Sequence, residues 1–353
     1  MHIVQPSYAI VIPTFNESKT IDTVLRVTKG APVYVVDDGS NDGTREIVAG
    51  YANAKLVTRD RKMGLVSAYL DGMKEAIKQG YDYFVVMDGD GQHDPKLVDD
   101  LVLAAQRNGA DLVIGSRYVK GGDAGEGFSA FRKLVSRVAN YLFMLSFDAG
   151  VMDATSGYRV YSRRAVEHLL EHRPRNSGYA GQVEIVEELS RARMKVVEHG
   201  MHLKKRVDGT SKLGFGEIMN YFLFVLTAGN LWKYALVGLS GILVNEAALY
   251  LLSGYMSPLI ADILAIEISI LSNFFLNESW TFSGRRISKN ISAVFRRLYV
   301  HNAAAAAAIV VNFAVFALLE LVGVNLLLAN LIGIIVAFSF RYLLSSRVVW
   351  VNE

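Results

Sequence analysis

Four long apolar stretches near the C-terminus limit what this chain can fold into more than any other feature. They lie at about 231–252, 258–280, 300–321 and 326–350. A helix needs roughly 20 residues to cross a hydrocarbon core of ~30 Å, and each stretch is long enough. A buried helical core in a soluble protein is the alternative, but it does not account for the charges between the stretches. We therefore predict an integral membrane protein with four spans.

The charges between the stretches predict the orientation of the spans. The links at 253–257 and 322–325 carry no charge. The middle link instead holds five basic residues: Arg285, Arg286, Lys289, Arg296 and Arg297. Basic loops stay on the cytoplasmic side, so this loop, the region before the spans and both termini are expected in the cytoplasm. Three tryptophans are then expected at the cytoplasmic interface: Trp232, Trp280 and Trp350.

The spans also resemble one another in pairs, as a duplicated helical hairpin would. The Leu-Val-Asn at 243–245 recurs as Val-Val-Asn at 310–312, and the Asn-Phe-Phe at 273–275 corresponds to the Arg-Tyr-Leu at 341–343. Two hairpins of the same orientation would result. Three carboxylates fall within the spans: Glu246, Asp262 and Glu267. Because a carboxylate inside a membrane is costly, these residues are either functional or hydrogen-bonded to Asn and Ser side chains of the bundle.

Residues 1–228 have a different pattern, in which short apolar runs alternate with polar turns. Runs at 8–13, 33–36, 83–87 and 111–115 are predicted as strands, and a helix is predicted at about 18–28. Continuous apolar strands separated by helices indicate a mostly parallel sheet covered on both faces. Ligands of such sheets bind beyond the carboxyl ends of the strands. We predict an α/β domain at 1–228 with its site at that edge, followed by an all-α transmembrane domain of four helices at 229–353.

Composition excludes several functional classes. The chain has no cysteine, which rules out disulfides, thiol nucleophiles and Cys-bound metals. A net charge of +3 is too small to indicate a nucleic acid partner. The apolar run at 8–13 is too short for a signal peptide.

The Asp-Gly-Asp-Gly-Gln at 88–92 is the strongest chemical signal in the chain. Residues two apart in an extended segment point the same way, so Asp88, Asp90 and Gln92 can converge on one point. Two carboxylates and an amide oxygen are hard ligands suited to Mg²⁺ or Mn²⁺ that holds a diphosphate. A turn that only ends a strand is the alternative interpretation.

The Asp-Asp-Gly-Ser at 37–40 follows the second predicted strand. A carboxylate of Asp37 or Asp38 at a strand end suits the hydroxyls of a ribose or the ring N–H of a base. Asp-Gly-Ser is also common turn chemistry, so the motif by itself leaves both interpretations open.

Residues 128–147 predict an amphipathic helix. Its apolar face comprises Phe131, Leu134, Val135, Val138, Tyr141, Leu142 and Leu145. Basic residues border that face: Arg132, Lys133 and Arg137. A basic amphipathic helix is typical of a membrane interface, and a core helix of the soluble domain is the alternative. A second such segment, at 213–228, leads directly into the first span.

Taken together, these motifs resemble the family 2 glycosyltransferases of the dolichyl-phosphate mannose synthase type. The resemblance covers 7–212 and rests on collinear segments at 11–17, 35–40, 64–65, 87–93, 115–118, 153–159, 182–184 and 206–212. It implies an α/β catalytic domain of the Rossmann-like GT-A fold. Residues 231–351 resemble, more loosely, the GtrA-type four-helix membrane domain, through their topology and through Asn-Phe-Phe at 273–275 with Trp280.

The resemblance implies roles for individual residues. Contacts to the donor nucleotide are implied for Pro13, Phe15, Glu17, Asp37, Asp38, Gly64 and Asp88. Ligation of Mg²⁺ or Mn²⁺ is implied for Asp88, Asp90 and Gln92. Binding of the acceptor phosphate is implied for Arg117, Arg132, Ser136, Arg206 and Lys212. Asp90, Arg117 and Arg132 are expected to be catalytic.

The implied reaction is a metal-dependent, inverting transfer of one hexose onto a dolichyl or polyprenyl phosphate at the cytoplasmic membrane face. GDP-mannose is the expected donor, and UDP-glucose or another UDP-sugar is the alternative. The acceptor phosphate has a second pKa of about 6 and is deprotonated near pH 7, so no general base is needed. A lipid-sugar flippase with an inactive transferase domain is the alternative from another class. The intact set of Asp88, Asp90 and Gln92 argues against that alternative.

Overall fold

The computed structural model describes residues 7–28, 30–125, 128–147, 149–205, 214–285, 287–288 and 290–351. Contacts within the chain divide it into two compact units, Met1–Val225 and Leu226–Glu353. The first unit is α/β and the second is helical, as the change in sequence pattern predicts.

A seven-stranded mixed sheet forms the centre of the first unit, in the order β3-β2-β1-β4-β6-β5-β7. The strands are β1 (Tyr8–Thr14), β2 (Val33–Asp37), β3 (Ala54–Thr58), β4 (Tyr83–Val86), β5 (Leu112–Ser116), β6 (Arg159–Ser162) and β7 (Val196–Gly200). All neighbours are parallel except β6, which is antiparallel to both β4 and β5. The carboxyl ends of β1, β2 and β4 therefore meet at one edge.

The four strands predicted from apolar runs are confirmed, with ends that differ by one residue or less. The other three strands lack such a run. Ala54–Thr58 is a partly exposed edge strand, Arg159–Ser162 begins with a buried arginine, and Val196–Gly200 ends in Glu-His-Gly. Their pairing with neighbouring strands, rather than their own hydropathy, defines them.

Helices cover both faces of this sheet and give two apolar cores. They are α1 (Ile21–Val27), α2 (Thr44–Ala49), α3 (Leu65–Ile77), α4 (Val98–Asn108), α5 (Ala130–Ser146), α6 (Arg163–Glu171), α7 (Tyr179–Arg191) and α8 (Phe215–Ala228). The helix predicted at 18–28 is confirmed but shorter. Gly72 lets α3 lie close to the sheet, because a Cβ there would come within 2.4 Å of Val11 Cγ1. This close packing brings the start of α3 to the site edge.

Helix α5 is amphipathic as predicted, but its apolar residues divide between two surfaces. Exposed apolar side chains form a stripe on one side: Phe131, Leu134, Val138 and Tyr141. The expected face also included Leu145, which is buried, and Phe143 and Ala139 are buried in the core beside it. Tyr221 of α8 belongs to the same core as Ala139 and Phe143, and its Oη donates to the carbonyl of Ala139 at 2.6 Å. The core-helix alternative therefore holds for one side of α5, and the membrane interface stays a prediction for the exposed side.

Four apolar helices of the second unit are long enough to cross a membrane. They are α9 (Leu231–Ser253), α10 (Pro258–Leu276), α11 (Ile291–Leu321) and α12 (Leu326–Leu344). Helix α9 packs mainly against α10, and α11 against α12. Both hairpins continue into a π-helical turn, Asn277–Thr281 and Ser345–Val349. The duplication predicted from the sequence is therefore visible in the fold.

The predicted start of the third span, at about residue 300, is wrong. Helix α11 begins at Ile291, so Arg296 and Arg297 lie inside a helix and not in the loop. The polar first turns of α11 are stable because Arg297 is buried and pairs with Glu278, at 2.5 Å between Nη2 and Oε1. Trp350 is also buried, and its Nε1 donates to Glu278 Oε2 at 2.7 Å. Arg286 and Lys289 lie outside the described residues.

Candidate active site

Two adjoining cavities lie at the carboxyl edge of the sheet in the first unit. The edge cavity, of about 150 Å³, is bordered by the ends of β1, β2 and β4 and by the start of α3. The helix cavity, of about 280 Å³, lies among α5, α7 and α8. Asp88, Tyr179 and Glu217 line both cavities. The sequence-predicted site is thus at the expected edge, but it has two compartments.

Most residues implied for the donor nucleotide line the edge cavity. They are Pro13, Phe15, Glu17, Asp38, Gly64 and Asp88. Lys62, which no sequence pattern singled out, joins them, with its Nζ 5.1 Å from the centre of the Phe15 ring.

Asp37, for which a contact with the donor nucleotide was expected, does not line either cavity. Its side chain is fully buried, and Oδ2 lies 2.5 Å from Arg45 Nε and accepts from the Ser40 amide at 3.0 Å. Burial acts to raise the pKa of Asp37, but the hydrogen bonds from Ser40 and Arg45 outweigh it and lower the pKa. Asp37 therefore holds the turn after β2.

Asp38 lines the edge cavity while its carboxylate also organises the turn before α3. Oδ1 lies 3.0 Å from Nη1 of the buried Arg59, and Oδ2 accepts from the amides of Met63 and Gly64, each at 3.3 Å. Burial raises the pKa of Asp38 in spite of Arg59. Gly64 has a φ of +101°, and a Cβ there would lie 2.6 Å from Ser177, so only glycine fits.

The residues of the Asp-Gly-Asp-Gly-Gln segment separate between the two cavities. Asp88 and Asp90 line the edge cavity, whereas Gln92 lines only the helix cavity. The amide of Gln92 donates to Asp90 Oδ1 at 3.0 Å, and its side-chain Nε2 donates to the carbonyl of Lys204 at 3.1 Å. The three side chains therefore do not converge on one point as the extended-strand argument expects. The chain turns after Asp90, where Gly91 has a φ of +77°.

His93 fixes the position of Asp88. Its Nδ1 accepts from the Asp88 amide at 3.0 Å, and its ring stacks on Tyr158 with 4.8 Å between centres. Because Nδ1 accepts, the ring proton is on Nε2, which lies 3.9 Å from Asp88 Oδ2. The role of His93 was not found from the sequence, although it follows the motif directly.

The carboxylates of the edge cavity fit a divalent cation that is bound together with a phosphate ligand. Five carboxylates line the cavity with one lysine, Lys62: Glu17, Asp38, Asp88, Asp90 and Glu217. Of these, Asp38 is already paired with Arg59. Within the described ranges, no three His, Asp or Glu side chains form a metal-binding group. Mg²⁺ commonly uses one or two carboxylates plus the substrate's phosphates, so Asp88 and Asp90 satisfy that requirement.

Arg117 and Arg132 both line the helix cavity, but in different ways. Arg117 is buried and forms a two-point ion pair with the fully buried Asp153, at 2.7 Å from Nε and 2.6 Å from Nη2. Arg132 is half-buried, and its guanidinium lies 4.6 Å from the centre of the Phe128 ring. Phe128 also contacts the Arg117 guanidinium, at 5.0 Å. The aromatic ring thus brings the two cations to one wall.

Ser136 also lines this wall, and its Oγ accepts from Tyr118 Oη at 2.8 Å. Arg206 and Lys212, the other residues implied for the acceptor phosphate, lie outside the described residues. The remaining lining of the helix cavity is largely apolar and aromatic: Phe131, Val135, Met201, Leu203, Tyr221 and Phe222.

Two further buried groups shape the helix cavity and were missed from the sequence. Arg159 is fully buried and donates to the carbonyls of Ala154, Ser156 and Gln182, each at 2.7 Å. Gln182 Nε2 donates to Tyr69 Oη at 3.1 Å. Burial, aided by the Asp88 charge, raises the pKa of Tyr69 well above its usual value, so this hydroxyl stays protonated. In the sequence, Arg159 is the last residue of the segment 153–159 that carries the family resemblance, and no role was predicted for it.

Glu217 joins the last helix of the first unit to the site. Its Oε2 accepts from the Tyr179 amide at 3.1 Å and so caps the start of α7, which has no cap of its own. A Cβ at position 178 would lie 2.5 Å from the same oxygen, so Gly178 is required for this approach. The signal available in the sequence was a lone carboxylate in an apolar helix.

Both units match known protein families. Residues 9–170 match the model of glycosyl transferase family 2, and residues 233–350 match the GtrA/DPMS transmembrane domain. The fold, the site and these matches define a glycosyltransferase with a membrane-spanning domain.

Two relatives extend the comparison. A dolichol-phosphate mannosyltransferase of Pyrococcus furiosus is 36% identical over 97% of this chain and 99% of its own length. A polyprenol monophosphomannose synthase of Mycolicibacterium smegmatis is 34% identical over 59% of this chain and 82% of its own length. This chain belongs to the dolichol-phosphate mannosyltransferase family of glycosyltransferases.

Proposed function

We propose that this protein transfers one mannose from GDP-mannose to a dolichyl or polyprenyl phosphate at the cytoplasmic face of a membrane. The observation that carries the proposal is the pair of adjoining cavities that share Asp88. One cavity offers carboxylates and a lysine, which suit a nucleotide diphosphate bound with a cation. The other offers arginines and apolar walls, which suit a phosphate that carries an isoprenoid chain. The names of the two relatives support mannose as the sugar.

Asp88 and Asp90 would hold a Mg²⁺ or Mn²⁺ ion together with the donor diphosphate. When bound, the cation neutralises the charge that develops on the leaving diphosphate. A cation is needed because the carboxylates of the edge cavity would otherwise repel the diphosphate, and Lys62 offsets only one of those charges. The backbone of Asp88 is held by His93, which preorganises this carboxylate.

The acceptor phosphate would lie in the helix cavity beside Arg132, against the wall that Arg117 also lines. Its oxygen is already deprotonated, so it attacks the anomeric carbon directly and the nucleoside diphosphate leaves from the opposite side. One displacement inverts that carbon and converts an α-linked donor into a β-linked product. The protein's part in this step is alignment and charge neutralisation.

The expected membrane face follows from the exposed apolar stripe of α5 and from the basic residues after the second span. Exposed Phe131 and Leu134 beside Arg132 suit an interface with anionic head groups. An acceptor whose chain stays in the bilayer can then reach the helix cavity with its phosphate. Cytoplasmic termini are proposed on the same charge argument.

A transfer assay with the purified full chain tests the proposal. GDP-mannose, UDP-glucose and UDP-galactose are supplied in turn with polyprenyl phosphate and Mn²⁺, and lipid-linked sugar is measured by extraction. We expect transfer from GDP-mannose, loss of transfer in EDTA, and a product with the β configuration by NMR. Transfer from a UDP-sugar alone would overturn the donor assignment, and an α product would overturn the single displacement.

A further inference from the structure

A polar groove lies within the membrane-spanning unit, and it shares no lining residue with the two cavities described above. It has a volume of about 320 Å³ and lies among α9, α10 and α12. Polar and small residues line it: Gly238, Gly241, Asn245, Ser269, Asn273 and Arg341. Polar side chains are rare among lipid-crossing helices and usually mark a pathway or a ligand.

Three residues of this groove carry buried polar atoms that lack a hydrogen-bond partner in the described part of the chain. These atoms are Arg341 Nε, Asn245 Oδ1 and Asn273 Oδ1. Asn273 is more than nine-tenths buried, and Gly241 makes room for it, since a Cβ there would lie 2.4 Å from Asn273 Nδ2. A buried polar group without a partner destabilises the fold. The groove therefore has unused hydrogen-bonding capacity that a ligand can satisfy.

The guanidinium of Arg341 also lacks a counter-charge among the described residues. Its side-chain contact is with His301 Nε2, at 3.4 Å from Nη2. No ion pair among the described residues joins Arg341 to Glu246, Asp262 or Glu267. Glu246 and Glu267 are exposed, and Asp262 is half-buried. The expectation that these carboxylates bond to Asn and Ser within the bundle therefore finds no contact among the described residues. A guanidinium in this setting requires an anion.

The internal repeat carries this charge in only one of its two hairpins. Arg341 occupies the position in the second hairpin that the uncharged Asn273 occupies in the first. Both residues lie in the helix that ends its hairpin, shortly before the π-helical turn. Because the first hairpin forms the same structure with an asparagine, the arginine is explained better by binding than by packing.

We propose that this groove binds the phosphate group of a membrane lipid. A planar guanidinium matches the oxygens of a phosphate, and the two asparagine amides can bond its remaining oxygens or a neighbouring hydroxyl. The rim carries exposed apolar side chains, Ile242 at 59% and Ile266 at 44%, which suit an acyl or isoprenoid chain. Arg341 of the groove precedes Trp350 by nine residues, which correspond to roughly 13 Å along a helix. A lipid can bring its own phosphate to that depth from within the bilayer, whereas a soluble anion has to cross apolar surface.

Native mass spectrometry of the full chain in detergent tests the proposal by counting bound lipids. Polyprenyl phosphate and phosphatidylglycerol form separate arms, because either lipid carries the required phosphate. Neutral polyprenol is the control for binding of the chain alone. The variants are Arg341→Gln and, as a matched loss of one charge, Arg347→Gln, which lies exposed in the π-helical turn of the same hairpin.

We expect the wild type and Arg347→Gln to bind one more phospholipid or polyprenyl phosphate per chain than Arg341→Gln does. The affinity at the groove should fall about tenfold or more when Arg341 is replaced, the size expected for a charge-assisted hydrogen bond. The arm in which the difference appears identifies the lipid. Equal counts for both variants in both arms would overturn the proposal, as would the same Arg341-dependent binding of neutral polyprenol.

Asn273→Leu gives a second measurement if Arg341→Gln does not fold, because it removes an orphaned amide without changing the charge. Asn273→Leu should bind the same reduced number of lipids as Arg341→Gln. An unchanged number would contradict the proposed binding of a lipid phosphate in the groove. The result is separable from the transferase proposal, since Asp90→Ala should lose sugar transfer while keeping the lipid bound at the groove.

Discussion

The two arginines of the helix cavity should behave differently when each is replaced by alanine. Both were expected to bind the acceptor phosphate, but Arg117 also neutralises Asp153, which is fully buried. Removing one partner of a buried ion pair costs about 3–5 kcal/mol, so Arg117→Ala should lower the stability of the first unit by that amount. For a unit of this size the melting temperature should fall by roughly 6–20 °C.

Arg132→Ala should instead leave the melting temperature nearly unchanged and weaken use of the acceptor. Its guanidinium is half-buried and lies over Phe128, an aromatic contact of roughly 0.5–1 kcal/mol. Loss of a charged hydrogen bond to phosphate is about 1.5–3 kcal/mol, which predicts a rise of roughly 10–150-fold in the KM for polyprenyl phosphate. The KM for the nucleotide sugar should change little.

Thermal unfolding and initial rates at varied polyprenyl phosphate, with saturating donor, measure both effects. The double variant Arg117→Ala/Asp153→Asn is the control, because it removes both buried charges. It should regain part of the lost stability without regaining acceptor use beyond that of Arg117→Ala. If Arg132→Ala destabilises the fold as much as Arg117→Ala, or leaves the acceptor KM unchanged, the assignment of separate roles is wrong.

Three further outcomes are expected. Asp90→Ala should abolish transfer in a folded protein, and EDTA should reproduce this loss in the wild type; full activity in metal-free buffer would refute the proposed cation. A chain that ends after residue 228 should retain measurable transfer in detergent, because every proposed site residue precedes the spans; a folded truncation that binds no donor would refute the domain division. Asp42→Asn should lower the melting temperature at pH 7 and have a smaller effect at pH 3. Burial acts to raise the pKa of Asp42, but hydrogen bonds from Thr44 and Ser18 outweigh burial and lower this pKa from 3.8 to about 2. The stabilising contribution of the Asp42 carboxylate is therefore present above pH 4 and is lost as the pH falls through 2.

Sequence patterns were sufficient wherever a property depends on the polarity of consecutive residues. Apolar runs located four of the seven strands and the four membrane helices, because burial in a sheet or a bilayer requires continuous apolar surface. They also located the site at the carboxyl edge, since polar residues follow each of those strands. The repeat of the spans was visible for the same reason.

Contacts between distant residues were not accessible in this way. Asp37 and Asp38 are adjacent and chemically identical, yet one is buried beneath a turn against Arg45 while the other lines the edge cavity. The separation of Gln92 from Asp90 likewise depends on a turn at Gly91 and on the carbonyl of Lys204. No local pattern distinguishes these residues, because their neighbours come from distant parts of the chain.

The sequence by itself therefore indicated the two units and the class of catalytic fold, and it predicted the residues of the site. Only the tertiary structure decided that the site has two compartments, that Arg117 is an ion-pair partner of Asp153, and that Glu217 caps α7. The physical reason is that hydropathy is summed along the chain, whereas hydrogen bonds and ion pairs act over a few ångströms in space. They become definable only after the sheet and helices have brought their partners together.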